Sequence, residues 1–263
     1  MEDIFWHKQT ADKPLFANLL WARPENKRIA GKLLIVGGNK HGFAAPTLAF
    51  NAAVKAGVGS ARVFLPDALR RVVGTSFAEA EFGASTPSGS FGQQALAQLL
   101  ELAEWSDGVL LAGDFGASSE TAILLEKFIS KYQGQLTLTG DSFDSLINNP
   151  AILRRYNTVI TTGLARLQKI GTNYGLKKSI KSSMDLLQLV QLLHEWTSEI
   201  EAFIVTEHAA NIVVAVNGQI STSPVKEANL TDLAAYASVW WLQQPQKLFE
   251  ALSTAVYDFS TSK

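Results

Sequence analysis

The chain contains no cysteine, which excludes disulfides, thiolate nucleophiles, iron–sulfur clusters and cysteine-based zinc sites. Charge is also scarce. Asp, Glu, Lys and Arg make up 18% of the residues, and the 23 basic and 24 acidic residues almost cancel. Because the molecule has no strong net field, neither nucleic acid nor an anionic membrane is an expected partner. A partner must therefore be recognised at a local site.

Long apolar runs are missing as well. No uncharged apolar run approaches the roughly 18 residues of a membrane span, and the opening MEDIFWHKQTADKP carries charges where a signal peptide needs an apolar stretch. We therefore expect a reducing, cytoplasmic location. With 263 residues, 47% of them apolar, the chain can bury a large core. No linker or repeat divides it, so we predict a single domain over residues 1–263, with an N-terminal arm over residues 1–26.

Apolar, β-branched runs alternate with helical stretches, as is typical of an α/β fold with a mostly parallel sheet and helices on both faces. Asn217-Gly218 separates two further runs and predicts an antiparallel hairpin near the C-terminus. The predicted parallel strands are Leu33–Val36, Ala61–Leu65, Gly108–Leu111, Leu136–Thr139 and Thr158–Thr161. The predicted helices are Ala45–Ala56, Gln93–Glu104, Glu120–Lys131, Met184–Glu201 and a broken stretch from Asn229 to Ala251.

The most informative stretch joins a buried strand, two glycines and a helix rich in small residues, from Gly31 to Pro46. Backbone N–H groups at such a helix start can face an anionic ligand, and glycine permits close approach. The same residues could form a tight turn without a ligand, and the sequence leaves both interpretations open. The stretch matches neither the Walker pattern nor the dinucleotide fingerprint, because the lysine and the third glycine are out of register.

Five short segments follow one another in order between residues 21 and 59. They are Trp21-Ala22-Arg23-Pro24, Asn26-Lys27, Gly37-Gly38-Asn39, Gly42-Phe43-Ala44-Ala45-Pro46 and Ala52-Ala53-Val54-Lys55-Ala56-Gly57-Val58-Gly59. Together they resemble the opening of the ATP- or ADP-dependent NAD(P)H-hydrate dehydratases, a branch of the ribokinase-like fold. The chain is therefore expected to share that fold.

The resemblance also implies a chemistry. Enzymes of that family bind NADH or NADPH hydrated on the nicotinamide ring, phosphorylate the ring hydroxyl from ATP or ADP with Mg²⁺, and expel phosphate. The residues implied to bind the hydrated dinucleotide are Gly37, Gly38, Asn39, Gly42, Phe43, Ala44, Ala45, Gly116 and Asp141. Those implied to bind the nucleotide are Thr206, Asn229, Leu230 and Thr231. The family often forms tetramers, so a homo-oligomer is an implied partner state.

Asp232 is the candidate general base. The family's Gly-x-Gly-Asp signature corresponds here to Asn229-Leu230-Thr231-Asp232, in which only the aspartate survives. Side chains at positions 229 and 231 would crowd a phosphate cradle. The same four residues also form a good helix start, with Asn229 as the cap and Asp232 in the first turn. The catalytic and capping roles of Asp232 are compatible, and both are retained.

Other departures lie where the family would hold phosphate. Asp114 replaces a glycine expected to approach the ligand and would repel phosphate there. A turn residue that accepts local backbone hydrogen bonds is the interpretation favoured over a ligand role. Asp141 either belongs to the site or caps a short helix. Glu207 stands in a segment where the family has a lysine.

Three hypotheses follow from these patterns. The first is a divergent dehydratase-like protein, active through Asp232 or with its activity lost. The second is a catalytically silent protein of the same fold that binds a nucleotide or dinucleotide or acts in an assembly, and a weaker third is a small-molecule kinase. The four histidines lack metal-ligand spacing, so no metal site is predicted on them. Trp240-Trp241 could serve the core or, in part, a subunit contact.

Overall fold

The computed structural model describes residues 5–74, 77–144, 146–147, 149, 152–225 and 227–262. One sheet of ten strands runs through this part of the chain, in the order β1-β10-β9-β8-β7-β6-β5-β2-β3-β4. The strands are β1 Trp6–Lys8, β2 Lys32–Gly37, β3 Ser60–Pro66, β4 Ala80–Gly83, β5 Gly108–Gly113, β6 Gln135–Leu138, β7 Thr158–Gly163, β8 Phe203–His208, β9 Asn211–Val216 and β10 Gln219–Pro224.

The α-helices cover both faces of the sheet. They are α1 Ala17–Trp21, α2 Ala44–Lys55, α3 Arg70–Val73, α4 Leu96–Trp105, α5 Ser119–Lys131, α6 Leu164–Asn173, α7 Leu186–Thr197, α8 Leu230–Gln243 and α9 Leu248–Thr261. One apolar core lies between the sheet and the face that carries α2, α8 and α9, and a second lies beneath α4 to α7. Among the described residues, none of the helices combines the length and apolarity needed to cross a membrane.

The mostly parallel sheet and the C-terminal hairpin are confirmed. Every strand pair is parallel except β8–β9 and β9–β10. The hairpin turns at Asn217 and Gly218, whose φ angles of +47° and +78° are those of a type I′ turn. The predicted helix Met184–Glu201 is shorter, because Asp185 and Gln188 form a capping box that starts α7 at Leu186.

Five strands and α-helices, β1, β4, α1, α3 and α6, carry too little sequence signal to be predicted. The strands β1 and β4 have three and four residues and lie at the two edges of the sheet, so neither shows a run of alternating residues. Within the predicted N-terminal arm, β1 pairs with β10. The helix α6 begins after Gly163 without a side-chain cap and contains Gly171, which weakens its helical pattern.

The tryptophan pair belongs to the core of this chain. Trp240 and Trp241 are 0% and 2% exposed on α8. The indole Nε1 of Trp240 donates a hydrogen bond to Oδ2 of Asp258 over 2.9 Å, which satisfies its polar group inside the apolar layer. These side chains therefore offer no surface to another subunit.

Candidate functional site

The sheet topology marks one place where a ligand site is expected. From β2 the chain moves outward to β3 and β4, and then returns to β5 on the other side of β2. In open α/β sheets, ligands bind outside the carboxyl ends of the strands at such a switch point. Here the carboxyl ends of β2 and β5 meet, because the N–H of Gly38 donates to the carbonyl of Gly113 over 3.0 Å.

The loop after β2 is held by the side chain of Asn39. Its Oδ1 accepts from the N–H of His41 over 2.7 Å, and its Nδ2 donates to the carbonyl of Asp114 over 2.7 Å. The backbone of Asn39 also exchanges hydrogen bonds with Gly42. Asn39 therefore fixes the loop internally and ties the end of β2 to the end of β5.

Asp114 sits at the centre of this edge. Its φ of +61° lies in the left-handed region, where glycine is favoured and aspartate is tolerated better than bulkier residues. Its Oδ2 accepts from the N–H of Ala45 over 2.8 Å, in the first turn of α2. The carboxylate thus accepts a hydrogen bond from a backbone N–H that was expected, from the sequence, to face an anionic ligand. Of the two sequence interpretations of Asp114, the structure shows a turn residue that accepts a backbone hydrogen bond.

Asp141 makes a similar contact with the next loop. Its Oδ1 accepts from the N–H of Phe115 over 3.2 Å, and its Oδ2 accepts from the N–H of Gly116 over 3.0 Å. Two successive N–H groups that point at one anion form a backbone nest. Here the anion is supplied by the chain itself. Gly116 is exposed, and a Cβ on it would approach Asn39 Nδ2 at 3.3 Å and Ser90 Oγ at 3.6 Å.

At the start of α8, too, backbone N–H groups donate to a side chain of the chain itself. The side-chain oxygen of Asn229 accepts from the N–H of Thr231 over 2.9 Å and from the N–H of Asp232 over 3.3 Å. These two N–H groups are among those that a helix start offers to phosphate. The capping role expected of Asn229 is therefore present, and it uses the donors that a phosphate cradle would need.

Asp232 lines a cavity that lies away from the residues gathered at the strand ends. A cavity of about 300 Å³ lies between α2, α8 and α9. It is lined by Leu48, Asn51, Ala52, Lys55, Asp232, Tyr236, Phe259 and Ser262. Burial raises the pKa of the Tyr236 hydroxyl above its ordinary value. The lining residues include none of those gathered at the ends of β2, β5 and β6.

Thr206 and Leu230, the remaining candidates for nucleotide binding, lie at β7 and β8, away from the ends of β2 and β5. Thr206 is 0% exposed within β8, and within the described residues its hydroxyl has no hydrogen-bond partner. Glu207 follows it and pairs in register with Gly163 at the end of β7. Leu230 faces the same strand end, since a Cβ on Gly163 would lie 3.7 Å from Leu230 Cδ1. The structure thus gathers Asn39, Ala45, Gly116 and Asp141, and separates them from Thr206.

Several glycines in the family-like segments have packing roles. A Cβ on Gly37 would stand closer than 3.0 Å to the carbonyl oxygen of Gly113, and Gly38 is buried against Phe43, Leu65 and Leu69. Between α2 and β3, the guanidinium of Arg23 packs on Gly57 and donates to the carbonyl of Lys55 over 3.3 Å. These glycines are explained by close approach within the chain. Gly42 differs, because a Cβ there would meet nothing within 4 Å.

Comparison with known proteins bears mainly on the fold. No family model matches the chain. A ribokinase-like superfamily protein from Enterococcus faecalis superposes with a TM-score of 0.73 at 16% identity, covering 99% of this chain and 88% of that one. The fold is ribokinase-like. An ADP/ATP-dependent NAD(P)H-hydrate dehydratase from Bacillus subtilis, co-crystallised with ATP and Mg²⁺, gives 0.60 at 12% identity, covering 89% and 79%.

A curated relative adds a partial sequence match. The chain is 33% identical over 92 residues to a bifunctional NAD(P)H-hydrate repair enzyme from Methanothermobacter thermautotrophicus. That match spans 35% of this chain and only 18% of the enzyme. The resemblance to NAD(P)H-hydrate dehydratases, first seen in the motifs, is thus found again in sequence and in fold.

The residues present do not fit ATP or ADP with Mg²⁺ in the way the resemblance implies. The N–H groups at the starts of α2 and α8 that would meet phosphate oxygens are occupied by Asp114 and Asn229. In the part of the chain that the structure describes, no three His, Asp or Glu side chains form a cluster able to hold a metal. We therefore derive no step through a bound nucleotide.

Two features at the carboxyl ends of β2 and β5 were not predicted from the sequence. They are the approach of Ser90 to Gly116 and the hydrogen bond between Asp114 and Ala45. Ser90 lies between β4 and α4, and its approach to Gly116 joins segments that are distant in the chain. The partner of Asp114 is Ala45, 69 positions away. A turn-forming aspartate is readable from sequence, but the amide to which it bonds depends on how β2 and β5 are paired.

Proposed function

We propose that this chain is a divergent, catalytically silent relative of the NAD(P)H-hydrate dehydratases that binds a nicotinamide dinucleotide at the carboxyl edge of its sheet. One observation carries the proposal. The backbone N–H groups of Ala45, Phe115, Gly116, Thr231 and Asp232 all bond to side chains of the chain itself. Phosphoryl transfer depends on such donors to stabilise the transferring group.

The dinucleotide is favoured by the residues that surround the exposed Gly116. Ser90 and Asp114 offer hydroxyl and carboxylate groups at the ends of β2 and β5, beside the Asn39 amide that holds the loop. A nicotinamide carboxamide carries both hydrogen-bond donors and an acceptor, so it suits such a set. The ordered match of residues 21–59 and the curated relative support the same ligand class.

Calorimetry with NADPH, ATP and ADP tests the proposal. We expect heat of binding with NADPH and none with ATP or ADP. A bulky side chain at the carboxyl edge should block NADPH binding. Ala44→Trp, at the exposed start of α2, is therefore expected to weaken NADPH binding by at least about tenfold. Ala165→Trp is the matched control, because Ala165 is equally exposed in the first turn of α6, on the other face of the sheet. Absence of NADPH binding, or equal weakening by both variants, would refute the proposed site.

A second candidate function is the active dehydratase. It would use ATP or ADP with Mg²⁺ and hydrated NADH or NADPH, with Asp232 taking the proton of the ring hydroxyl. The observation that favours it is the position of Asp232 in the first turn of α8, a helix that starts at the carboxyl edge. Incubation with NADH hydrate, either nucleotide and Mg²⁺ separates the two functions. Recovery of dihydronicotinamide absorbance above that of Asp232→Asn would establish the enzyme and refute the silent binder.

We also propose that the chain acts in the cytoplasm as a homo-oligomer, with the tetramer as the assembly implied by the family resemblance. Exposed apolar side chains on α1 and α2, Trp21 at 89% and Val54 at 54%, support an assembly contact. Light scattering after size-exclusion chromatography tests this, and a mass of one chain at micromolar concentration would contradict it.

A further inference from the structure

Two carboxylates at the switch point accept hydrogen bonds from backbone N–H groups of the chain itself. Asp114 bonds to the N–H of Ala45 over 2.8 Å, and Asp141 bonds to the N–H groups of Phe115 and Gly116 over 3.2 and 3.0 Å. The helix α2 has twelve residues, so its start carries a partial positive charge that attracts anions. The carboxylate of Asp114 already accepts a hydrogen bond from an N–H in the first turn of that helix.

A bound carboxylate changes what this edge can accept. It saturates the amide donor and leaves a negative charge beside it, so an incoming phosphate oxygen would meet an anion rather than a donor. A group that donates hydrogen bonds would instead find a carboxylate acceptor. Asp114 is half-buried, and its carbonyl accepts from Asn39, so its orientation is fixed on both sides.

We propose that Asp114 determines ligand selectivity at the carboxyl edge: its carboxylate excludes phosphate from the start of α2 and selects an uncharged, donor-bearing part of the ligand for that position. This inference rests on the proposed function and specifies it. The nicotinamide carboxamide or ring hydroxyl would lie at the ends of β2 and β5, and the dinucleotide's phosphates would lie elsewhere.

Asp114 is a better candidate for this role than Asp141. Its φ of +61° suits glycine, so Asp114→Gly leaves the backbone unstrained while it frees the N–H of Ala45. Asp114→Asn keeps an oxygen acceptor and tolerates the same φ, and it removes only the charge. Asp141 bridges two successive amides, so its removal would change loop geometry as well as charge.

Titration with pyrophosphate tests the inference, because this probe carries the phosphate chemistry and no nicotinamide. The control is Asp107→Asn. The Oδ2 of Asp107 accepts from the N–H of Lys32 over 2.8 Å, a contact of the same length as that of Asp114, at the opposite edge of the sheet. Asp107→Asn removes one negative charge, as Asp114→Asn does, and leaves the proposed site unchanged.

Calorimetry should show that Asp114→Gly binds pyrophosphate at least about tenfold more tightly than the wild type, because it gains a charge-assisted hydrogen bond and loses a repulsion. Asp114→Asn should gain at least about threefold from the lost repulsion alone, and Asp107→Asn should stay within about twofold of the wild type. A gain below twofold in both Asp114 variants, or an equal gain in Asp107→Asn, would overturn the inference. If Asp114→Gly does not fold, the two asparagine variants still decide.

Titration of the same proteins with NADPH separates this inference from the proposed function. If the wild type binds NADPH and neither Asp114 variant gains affinity for pyrophosphate, the selectivity role is wrong and the dinucleotide site stands. If the wild type does not bind NADPH but Asp114→Gly gains pyrophosphate binding, the dinucleotide function is wrong. The exclusion of phosphate by Asp114 is then retained.

Discussion

Replacing Gly37 by alanine should destabilise the fold, although Gly37 belongs to the motif that the family resemblance assigns to the ligand. The new Cβ would stand closer than 3.0 Å to the carbonyl oxygen of Gly113, and 3.4 Å from Pro46 Cδ. The obstructing atom is backbone in the interior strand pair β2–β5, so it has little freedom to move. Overpacking of this kind costs about 1–3 kcal/mol. At about 2–4 °C per kcal/mol for a large domain, the melting midpoint should fall by roughly 2–12 °C.

The matched variant is Gly42→Ala, five residues later in the same motif. A Cβ on Gly42 meets nothing within 4 Å, and its φ is not in the left-handed region. Its free energy of unfolding should therefore stay within about 0.5 kcal/mol of the wild type or rise slightly, because alanine restricts the unfolded chain. Urea titrations and thermal scans of both variants provide the measurement. An unchanged stability of Gly37→Ala, with loss of NADPH binding, would refute the packing explanation.

Three further predictions follow from single contacts. Asn229→Ala removes the cap of α8 and should lower the free energy of unfolding by about 1 kcal/mol in a urea titration, whereas Asn229→Asp should retain most of it. Trp240→Ala empties a fully buried site and leaves Asp258 without its indole donor, so a loss of about 3–5 kcal/mol is expected in the same assay. Burial raises the pKa of Tyr132 from 10.0 to about 12, so between these values the unfolded state loses its proton first and stability should fall as pH rises. Tyr132→Phe should remove that part of the slope.

Elements whose signal is local could be predicted from the sequence. The strand Leu33–Val36 is a continuous buried run, and Asn217-Gly218 forms the turn that its residue types dictate. The helix start at Asn229 was also expected, and the structure shows both hydrogen bonds of the cap. Each of these features depends on residues within a few positions of one another, where propensity and capping chemistry decide.

The candidate site depended on contacts that local patterns do not contain. The position of Asp114 in a turn could be inferred, but its bond to Ala45 depends on which strand lies beside β2. That Asp232 and Lys55 line the same cavity depends on how α2 and α8 pack. Motif order indicated which segments approach the carboxyl edge. It did not indicate which donors remain available there.

The distribution of matching and departing positions favours the silent binder over the active enzyme. Gly37 and Gly57 match the family and are needed because a side chain would strike neighbouring atoms of the same chain. Positions 114, 229 and 231 depart from the family. The side chains of Asp114 and Asn229 accept hydrogen bonds from the N–H groups of Ala45 and Thr231, which are among those that would meet phosphate. Packing requirements persist whether or not a ligand binds, since they act on the fold. Requirements imposed by phosphoryl transfer act only while the reaction is used, so departures at positions 114, 229 and 231 are the pattern that the proposed silent binder predicts.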